Sequence, residues 1–269
     1  MEKKTYPLLT KDFNEISYTV LENGFLKGDA HWCYPNTISP YHRMYFFIDG
    51  EAVVCNKKEE VHLKPGFVYL IPANTTYDYQ CYSTMEKFYL HFELQALPGL
   101  DMFKSLEQIL AMPYDVTTLD LIRVYASDPS IGGLVHLKAL LLEHTAKFLT
   151  MAMALPDFFI NYSGYYNQKE ALAYIDANLS TQLKVEEIAH ALNLSSSVLA
   201  RTFKEDIGVG LKRYIEMQIL KKSKFMLLEQ GKPIKEIADA FDFCDAYYFS
   251  RFFKKFEKVP PREYRKRMV

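Results

Sequence analysis

The last third of the chain contains an internal repeat, which limits the possible folds more than any other feature. Residues 188–194 (IAHALNL) reappear as residues 237–243 (IADAFDF), at an offset of 49 residues. After one inserted residue, residues 199–204 (LARTFK) reappear as residues 249–254 (FSRFFK), at an offset of 50. Two copies of one pattern indicate two copies of one small structural unit.

Each copy has the pattern of a helix-turn-helix: a short helix with an Ile-Ala face, a turn, and a second helix. The turn positions are occupied by Asn193 and Asp242. Both residue types tolerate the left-handed backbone region better than other non-glycine residues, so a positive φ is predicted at both. Ser195 and Asp245 are placed to cap the second helices.

One face of each second helix is predicted to be buried. Leu199 and Phe203 in the first copy, like Phe249 and Phe253 in the second, are four residues apart and therefore share a helix face. The opposite face is left for a DNA groove, where arginine can bind guanine O6 and N7 and small side chains can reach base edges. The predicted DNA-binding residues are Ser196, Ser197, Ala200, Arg201, Lys204, Ala246, Tyr247, Ser250, Arg251 and Lys254.

Arginine occurs at the same place in both copies. A single arginine could be an incidental surface charge, but its repetition favours a role in binding.

Between the copies, residues 211–229 form an unbroken amphipathic run. As a helix, this run would span about 30 Å. Because successive major-groove faces are about 34 Å apart, such a connecting helix could hold both second helices in adjacent turns of one duplex.

Charge is divided unevenly along the chain. Residues 167–269 contain 19 Lys and Arg against 14 Asp and Glu, whereas residues 1–166 contain 13 against 19. A basic C-terminal part is typical of a segment that binds a polyanion, although solvated surfaces also divide charge by chance. The four scattered cysteines and the absence of an apolar leader segment favour a cytoplasmic protein with reduced thiols.

Residues 168–267 resemble the DNA-binding domain of AraC/XylS-type bacterial regulators. The resemblance is carried by Ile188-Ala189, Asn193-Leu-Ser195, residues 199–204, Ile237-Ala238, Phe243-Cys-Asp245, residues 248–251, Phe253-Lys254 and the C-terminal Pro261-Arg-Glu-Tyr-Arg265. It implies that Ser197, Ala200, Arg201, Ala246, Tyr247, Ser250 and Arg251 lie where that family contacts bases. The chain departs from the family pattern, which usually has glycine at Asp242 and Lys258, a small hydroxyl residue at Tyr247 and arginine at Gln218.

Residues 1–95 have short aromatic and β-branched runs separated by turn signals, a pattern typical of a β-sandwich or small barrel. Stretches within residues 41–50, 63–72 and 88–93 resemble the cupin-like effector domain often attached to this DNA-binding module. From Pro98 onward the pattern is predicted to be helical. We therefore expect an α+β two-domain fold: a cupin-like β-barrel at 1–100, a helical dimerisation segment at 101–156, a linker at 157–167 and an all-α domain with two helix-turn-helix units at 168–269.

The predicted helix 134–154 has apolar residues on two sides. Leu134, Leu137, Leu141, His144, Phe148 and Met151 form a heptad seam, and Leu142, Leu149 and Met153 form a second stripe. The seam could pack within its own domain or against a second copy of the chain. We favour a homodimer.

The N-terminal domain is predicted to bind a small molecule. Enzymatic cupins hold a metal with a His-x-His pair, a Glu and a later His, but here His42 precedes Arg43-Met44 and Tyr77 stands at the later position. No metal and no cofactor are therefore expected, and a metalloenzyme is disfavoured. Inward aromatic and polar side chains suit a polar organic effector such as a carbohydrate, although they could also form an ordinary core. The predicted effector-binding residues are Trp32, Tyr34, Arg43, Tyr77, Tyr89, His91 and Glu93.

The sequence thus favours a non-enzymatic, ligand-responsive, sequence-specific transcription regulator. Its expected partners are double-stranded DNA, a small-molecule effector, a second copy of the chain and, as a regulator, RNA polymerase; no membrane partner is expected. Two alternatives stay open: a DNA-binding protein whose N-terminal domain only dimerises, and a cupin metalloenzyme whose helical tail serves assembly.

Overall fold

The computed structural model describes Asn14, residues 16–228 and residues 231–268. The chain divides into two compact units. The sheet unit contains the described residues up to Gln95 together with Asp101–Ile160, and the helical unit contains Ala96–Leu100 and the described residues from Asn161 onward. Within the described part of the chain, no helix combines the length and apolar character that a membrane span requires.

The strands precede nearly all the helices along the chain. The strands are β1 Ser17–Asp29, β2 Cys33–Ile38, β3 His42–Cys55, β4 Glu60–Leu63, β5 Phe67–Ile71, β6 Thr76–Leu97, β7 Leu100–Asp101 and β8 Leu110–Pro113. The helices are α1 Val116–Ser127, α2 Ile131–Met153, α3 Tyr162–Asn167, α4 Lys169–Ala177, α5 Val185–Ala191, α6 Ser196–Ile207, α7 Leu211–Leu228, α8 Ile234–Asp239, α9 Ala246–Glu257 and α10 Pro261–Met268.

The strands form one antiparallel sheet in the order β1-β6-β3-β5-β8, with β2 and β7 added on β6 and β4 added on β3. β3 and β6 pair from His42 opposite Phe92 to Cys55 opposite Asp78, with two register shifts near Gly50. Among the described strands, β1 and β8 have no pairing with each other and end the sheet. The sheet is therefore open, and the predicted closed barrel is not what the strand pairing forms.

The two faces of the sheet carry different cores, because side chains alternate along a strand. On β3, Met44 and Phe46 are fully buried in a cluster that also includes residues of α1 and α2. Their neighbours Tyr45 and Phe47 are buried in a second cluster on the other face. One face thus anchors the helices, and the other encloses aromatic side chains.

The helical region begins later than predicted. Strand β8 lies within the region expected to be helical from Pro98, and the first helix after it starts at Val116. The four residues of β8 are too few to show a strand period, and its Pro113 suits an edge position because proline cannot donate a ladder hydrogen bond. Part of the predicted linker is also helical, since Tyr162–Asn167 forms α3 behind an Asn161 cap.

Helix α2 begins at Ile131 and ends at Met153, close to the prediction. Its heptad seam packs within its own unit: Leu137, Leu141 and Phe148 are buried in the core shared with the sheet. Leu134, the first seam residue, is instead 58% exposed. Most of the seam therefore packs inside its own unit and not against a second copy of the chain.

The repeat forms two helix-turn-helix units, as predicted. The first consists of α5 and α6, and the second of α8 and α9. Asn193 and Asp242 both have a φ of 55°, which confirms the predicted left-handed turns. Helix α7 lies between the units and ends at Leu228, while the remainder of the predicted run, Glu229, falls outside the described residues.

The correspondence between the copies extends past the motif. Phe203 stacks edge-on against Tyr214 of α7 at 5.3 Å, and fifty residues later Phe253 stacks against Tyr264 of α10 at 5.1 Å. Each second helix also ends in a left-handed residue, Gly208 with φ 86° and Lys258 with φ 64°. Each unit is thus followed by a helix that packs on it in the same way.

Replacing Lys258 by glycine should stabilise the helical unit by about 1 kcal/mol, because an L-residue is strained in the left-handed region whereas glycine is not. Gly208→Ala is the matched opposite change and should destabilise the unit by a similar amount, since the space around Gly208 is open and only the backbone conformation opposes a Cβ. Thermal unfolding of the full chain measures both. A lower melting temperature for Lys258→Gly would contradict this assignment of strain.

Candidate nucleic-acid interface and effector site

The second helix of each unit starts at a capped residue. The Ser195 hydroxyl oxygen accepts a hydrogen bond from the backbone N–H of Val198 at 3.3 Å. The Asp245 carboxylate accepts one from the backbone N–H of Tyr248 at 2.6 Å. Both predicted caps are confirmed, and each satisfies a backbone donor that the first helical turn would otherwise leave without a partner.

In the first unit, one face of α6 is buried and the other is free. Leu199 and Phe203 are completely buried. On the opposite face, Arg201 lies in the open and forms an exposed ion pair with Glu205, at 3.5 Å. The other predicted groove residues on this face are Ser197, Ala200 and Lys204, all exposed, and Ser196, which is half-buried.

The second unit repeats this arrangement on α9. Phe249 and Phe253 are completely buried, while Tyr247 is 71% exposed. The guanidinium carbon of Arg251 lies 6.0 Å from the centre of the Tyr247 ring. Arg251 and Lys254 are exposed, and Ala246 and Ser250 are half-buried. The Ser250 hydroxyl donates to the backbone oxygen of Ala246, at 2.7 Å, so its proton is already used within the helix.

A buried ion pair joins α9 to the connecting helix α7. The ammonium group of Lys224 lies 2.7 Å from the Glu257 carboxylate, and the two side chains are 8% and 11% exposed. The Arg265 guanidinium, on α10, donates to the backbone oxygens of Leu227 and Lys232 at 3.0 and 2.6 Å. These contacts fix the second unit against the end of α7.

The end of α6 is held by the residues around α3. The side-chain amide of Asn161 donates to the backbone oxygen of Asp206 at 2.7 Å. Asn167 and Gln168 donate to the two carboxylate oxygens of Asp206 at 3.2 and 2.6 Å. The segment that precedes the DNA-binding module is therefore attached to the first unit.

In the sheet unit, aromatic rings surround two basic side chains. We call this set the aromatic–cation cluster; it consists of Trp32, Tyr41, Arg43, Tyr45, Tyr79 and Lys87. Arg43 donates a hydrogen bond to the Tyr79 hydroxyl, and its guanidinium carbon lies 4.8 Å from the centre of the Tyr79 ring. The Lys87 ammonium lies 4.1 Å from the Trp32 ring and 3.4 Å from the Tyr45 ring. Every member is at least nine-tenths buried.

A group of hydrogen-bonded polar residues adjoins the cluster. The His91 ring stacks on Tyr41 at 4.6 Å, and its Nδ1 lies 3.0 Å from the Glu22 carboxylate. Tyr89 donates to the same carboxylate at 2.9 Å. Burial, opposed by the Glu22 hydrogen bond, lowers the pKa of His91 to about 4, so this imidazole is neutral at pH 7. The hydrogen bond from His91 is the main cause that lowers the pKa of Glu22.

The predicted effector-binding residues are only partly brought together. Trp32 and Arg43 belong to the aromatic–cation cluster, and Tyr89 and His91 adjoin it. Tyr34 stacks on Trp32 at 6.2 Å but is 39% exposed, and Tyr77 donates to Glu59 elsewhere in the buried core. Glu93 is two residues after His91 on β6, so the alternation of side chains places both on the same face of the sheet.

Sequence reasoning missed Lys87, Tyr45, Tyr41 and Glu22. Lys87 was detectable, because it precedes Tyr89 and His91 by the two-residue period that places side chains on one face of a strand. A lysine is usually assigned to the solvent side, which explains the omission.

His42 occupies the position where enzymatic cupins have a metal-binding histidine. Here its ring forms hydrogen bonds within the protein. The backbone N–H of Ala73 donates to its Nδ1 at 3.0 Å, so the proton of the neutral ring lies on Nε2 and points at the Asp101 carboxylate, 3.0 Å away. Among the described residues, no three His, Cys, Asp or Glu side chains are grouped as metal ligands.

The chain matches one family model and several known regulatory proteins. A family model described as a helix-turn-helix domain matches residues 188–267. The Msm operon regulatory protein of Streptococcus mutans is 23% identical over 95% of both chains. The multiple antibiotic resistance protein MarA of Salmonella typhimurium is 31% identical over 35% of this chain and 74% of its own. The Xylose operon regulatory protein of Escherichia coli is 30% identical, but the match spans only 24% of that protein.

Among solved structures, apo ToxT of Vibrio cholerae has a TM-score of 0.52 and 15% identity, with 94% of this chain and 97% of ToxT covered. At that identity the likeness concerns the fold. It supports a two-domain arrangement in which an N-terminal sheet domain precedes helix-turn-helix units.

Replacing Lys224 by methionine should destabilise the helical unit by about 3 kcal/mol, because Glu257 would be left as a buried carboxylate without its partner. The double variant Lys224→Met/Glu257→Leu removes both charges and should recover most of the loss. Urea unfolding of the full chain measures both changes. Equal losses in the single and double variants would show that the ion pair is not what holds α9.

Proposed function

Because this chain belongs to the AraC/XylS family of transcription regulators, we propose that its two helix-turn-helix units bind two adjacent major-groove segments of one specific DNA site. α6 and α9 are the proposed recognition helices. Their groove-facing residues are those on the exposed faces described above, with Arg201 and Arg251 as the principal base contacts. The chain acts in the cytoplasm, where it reaches DNA and RNA polymerase, and has no enzymatic activity.

The observation that carries this proposal is the matched exposure of the two arginine faces. In both helices, a pair of fully buried apolar side chains holds the helix in place while arginine and lysine stay open to solvent. A bundle whose helices served only packing would have no reason to keep the same basic face free in both copies. Exposed arginines in a groove supply both phosphate attraction and bidentate guanine contacts.

We further propose that the sheet unit is a cupin-like sensor for a small molecule, with the aromatic–cation cluster as its binding site. The Msm and xylose operon regulators support the view that such a chain controls genes for uptake or catabolism of small molecules. An effector that binds two states of the protein unequally shifts the balance between them, and so changes occupancy of the DNA site.

A homodimer is proposed through the exposed apolar side chains of α1 and the first turns of α2. Ile131 is 82% exposed, and Val124, Leu134 and Val135 are each about 60% exposed. Ile131, Leu134 and Val135 follow the three- and four-residue spacing of one helix face. Contiguous exposed apolar groups of this kind mark surfaces that bind a partner.

Arg201→Ala and Arg251→Ala should each weaken binding to the specific DNA site by about 1–3 kcal/mol and relax base preference at one position. The site is first selected from a random duplex library with the wild-type chain, and affinities are then measured by fluorescence anisotropy at fixed salt. Arg123→Ala, an exposed arginine of the sheet unit, is the matched control and should bind normally. Unchanged affinity in both variants would rule out the assigned groove faces.

Val135→Glu should shift the chain from dimer toward monomer, because a carboxylate cannot be desolvated cheaply in an apolar interface. Light scattering coupled to size-exclusion chromatography measures the mass. Ala146→Glu, at an exposed position farther along α2, is the control and should remain dimeric. A wild-type chain that is monomeric at high concentration, or a Val135→Glu variant that stays dimeric, would refute this interface.

A further inference from the structure

We propose that the effector is a small organic anion, and that its negatively charged group is neutralised by Arg43 and Lys87 in the aromatic–cation cluster. The proposal rests on the effector-binding role proposed for the sheet unit. It goes further by naming the chemical class of the effector and by assigning a role to Lys87, which the sequence reasoning did not select.

Lys87 is a buried basic side chain without a counter-charge. The residue is 2% exposed, and within the described part of the chain it forms no ion pair and no hydrogen bond. Its ammonium group lies over the faces of Trp32 and Tyr45. Burial, reinforced by the positive charge of Arg43, holds the pKa of Lys87 well below its ordinary value. Such a side chain is costly to keep in a protein interior unless something compensates its charge.

Arg43 adds a second positive charge that the protein leaves incompletely bonded. It is 8% exposed, donates to the Tyr79 hydroxyl, and contacts the faces of the Tyr41 and Tyr79 rings. Its Nε–H is buried and has no hydrogen-bond acceptor among the described residues. Because buried donors of this kind are normally satisfied, the Nε–H indicates an acceptor that is supplied from outside the chain.

The neighbouring carboxylate of Glu22 feels the positive charge of Arg43, but it forms no ion pair with either basic side chain among the described residues. Glu22 accepts hydrogen bonds from Tyr89 and His91, and its side chain is 59% exposed. His91, a further titratable neighbour in addition to the Cys81 thiol and the cluster tyrosines, has a pKa of about 4 and carries no charge at pH 7. Within the part of the chain that the structure describes, the cluster therefore contains no buried carboxylate, and an anionic ligand would provide the negative charge.

The rest of the ligand would lie against rings. Trp32, Tyr45 and Tyr79 stack edge-on around the two cations, with Trp32 lying 5.6 Å from Tyr79 and 6.5 Å from Tyr45. Aromatic walls suit a sugar ring or an aromatic ring, and the cations select the acid over its neutral counterpart. A carboxylate and a phosphate both have the required chemistry, since arginine and lysine bind either group.

Binding can be followed through Trp32, because it is the only tryptophan of the chain and contacts Lys87. The full-length protein is titrated at constant ionic strength with D-glucuronate, D-glucose 6-phosphate and benzoate. D-glucose and benzyl alcohol are the neutral counterparts. We expect a saturable change in Trp32 fluorescence with at least one acid, at a dissociation constant at least tenfold below that of its neutral counterpart. The glucuronate and glucose 6-phosphate arms distinguish a carboxylate ligand from a phosphate ligand.

Variants then test whether the two cations are responsible. Lys87→Met keeps the length of the side chain without its charge and should weaken the acid at least tenfold, whereas Lys87→Arg should keep the preference for acids. Arg43→Met provides an independent second variant with the same expected loss. Lys27→Met removes an exposed lysine of the same sheet and should leave the titration unchanged. Circular dichroism confirms that each variant is folded.

Three results would overturn the proposal: neutral counterparts that bind as tightly as the acids, no saturable change with any acid, or an acid affinity that is unchanged in both folded methionine variants. The affinity for the selected DNA site, measured in the same preparations, separates this failure from failure of the proposed function. A response to D-glucose alone with normal DNA binding would retain the sensor and refute the anion. Failure of the wild-type chain to bind any DNA site would instead refute the proposed function as a DNA-binding regulator.

Discussion

The burial of one apolar face on each of α6 and α9 is the constraint from which the proposed DNA-binding surface follows. Phe203 and Phe253 are completely enclosed, and each stacks against the tyrosine of the helix that comes next, Tyr214 or Tyr264. Since residues four apart share a helix face, fixing these rings also fixes which side chains point outward. The exposed basic surface is thus set by packing inside the unit, and the caps and left-handed turns fix where each helix starts.

The sheet unit depends on a similar separation of two faces. The two-residue period of β3 sends Met44 and Phe46 toward the helices and Tyr45 and Phe47 to the other side, and β6 follows the same period. As a result, one face is mainly apolar and stabilises the unit, while the other accommodates the buried basic side chains Arg43 and Lys87. Apolar burial on the first face helps to offset the cost of burying Arg43 and Lys87, which ring contacts also reduce.

The parts of the structure that are local in sequence could be predicted. The turn conformations at Asn193 and Asp242 and the caps at Ser195 and Asp245 depend on neighbouring residues only, and all four are confirmed. Features that depend on distant residues were harder to predict. The open sheet, the strand β8 and the helix inside the expected linker are set by pairing and packing across the chain, which short runs of residues do not encode.

The candidate effector site illustrates the same limit. Aromatic residues at alternate positions selected one strand face, and four of the seven selected residues lie in or beside the aromatic–cation cluster that is proposed as the effector site. Tyr77 could not be separated from them, because its partner Glu59 is distant in sequence. Lys87 was missed since the residue type suggests exposure, whereas its burial follows from the pairing of β6 with β3.

The attachment of Asn161, Asn167 and Gln168 to Asp206 has a mechanical consequence. The long continuous segment of the helical unit begins at Asn161, and the bonds of these residues end on the last turn of α6. A displacement of Asn161, Asn167 and Gln168 would therefore act directly on α6, whereas α9 is held separately through Lys224 and Glu257. The two halves of one DNA site would then differ in how directly they sense such a displacement, even though the modules that read them are near-copies.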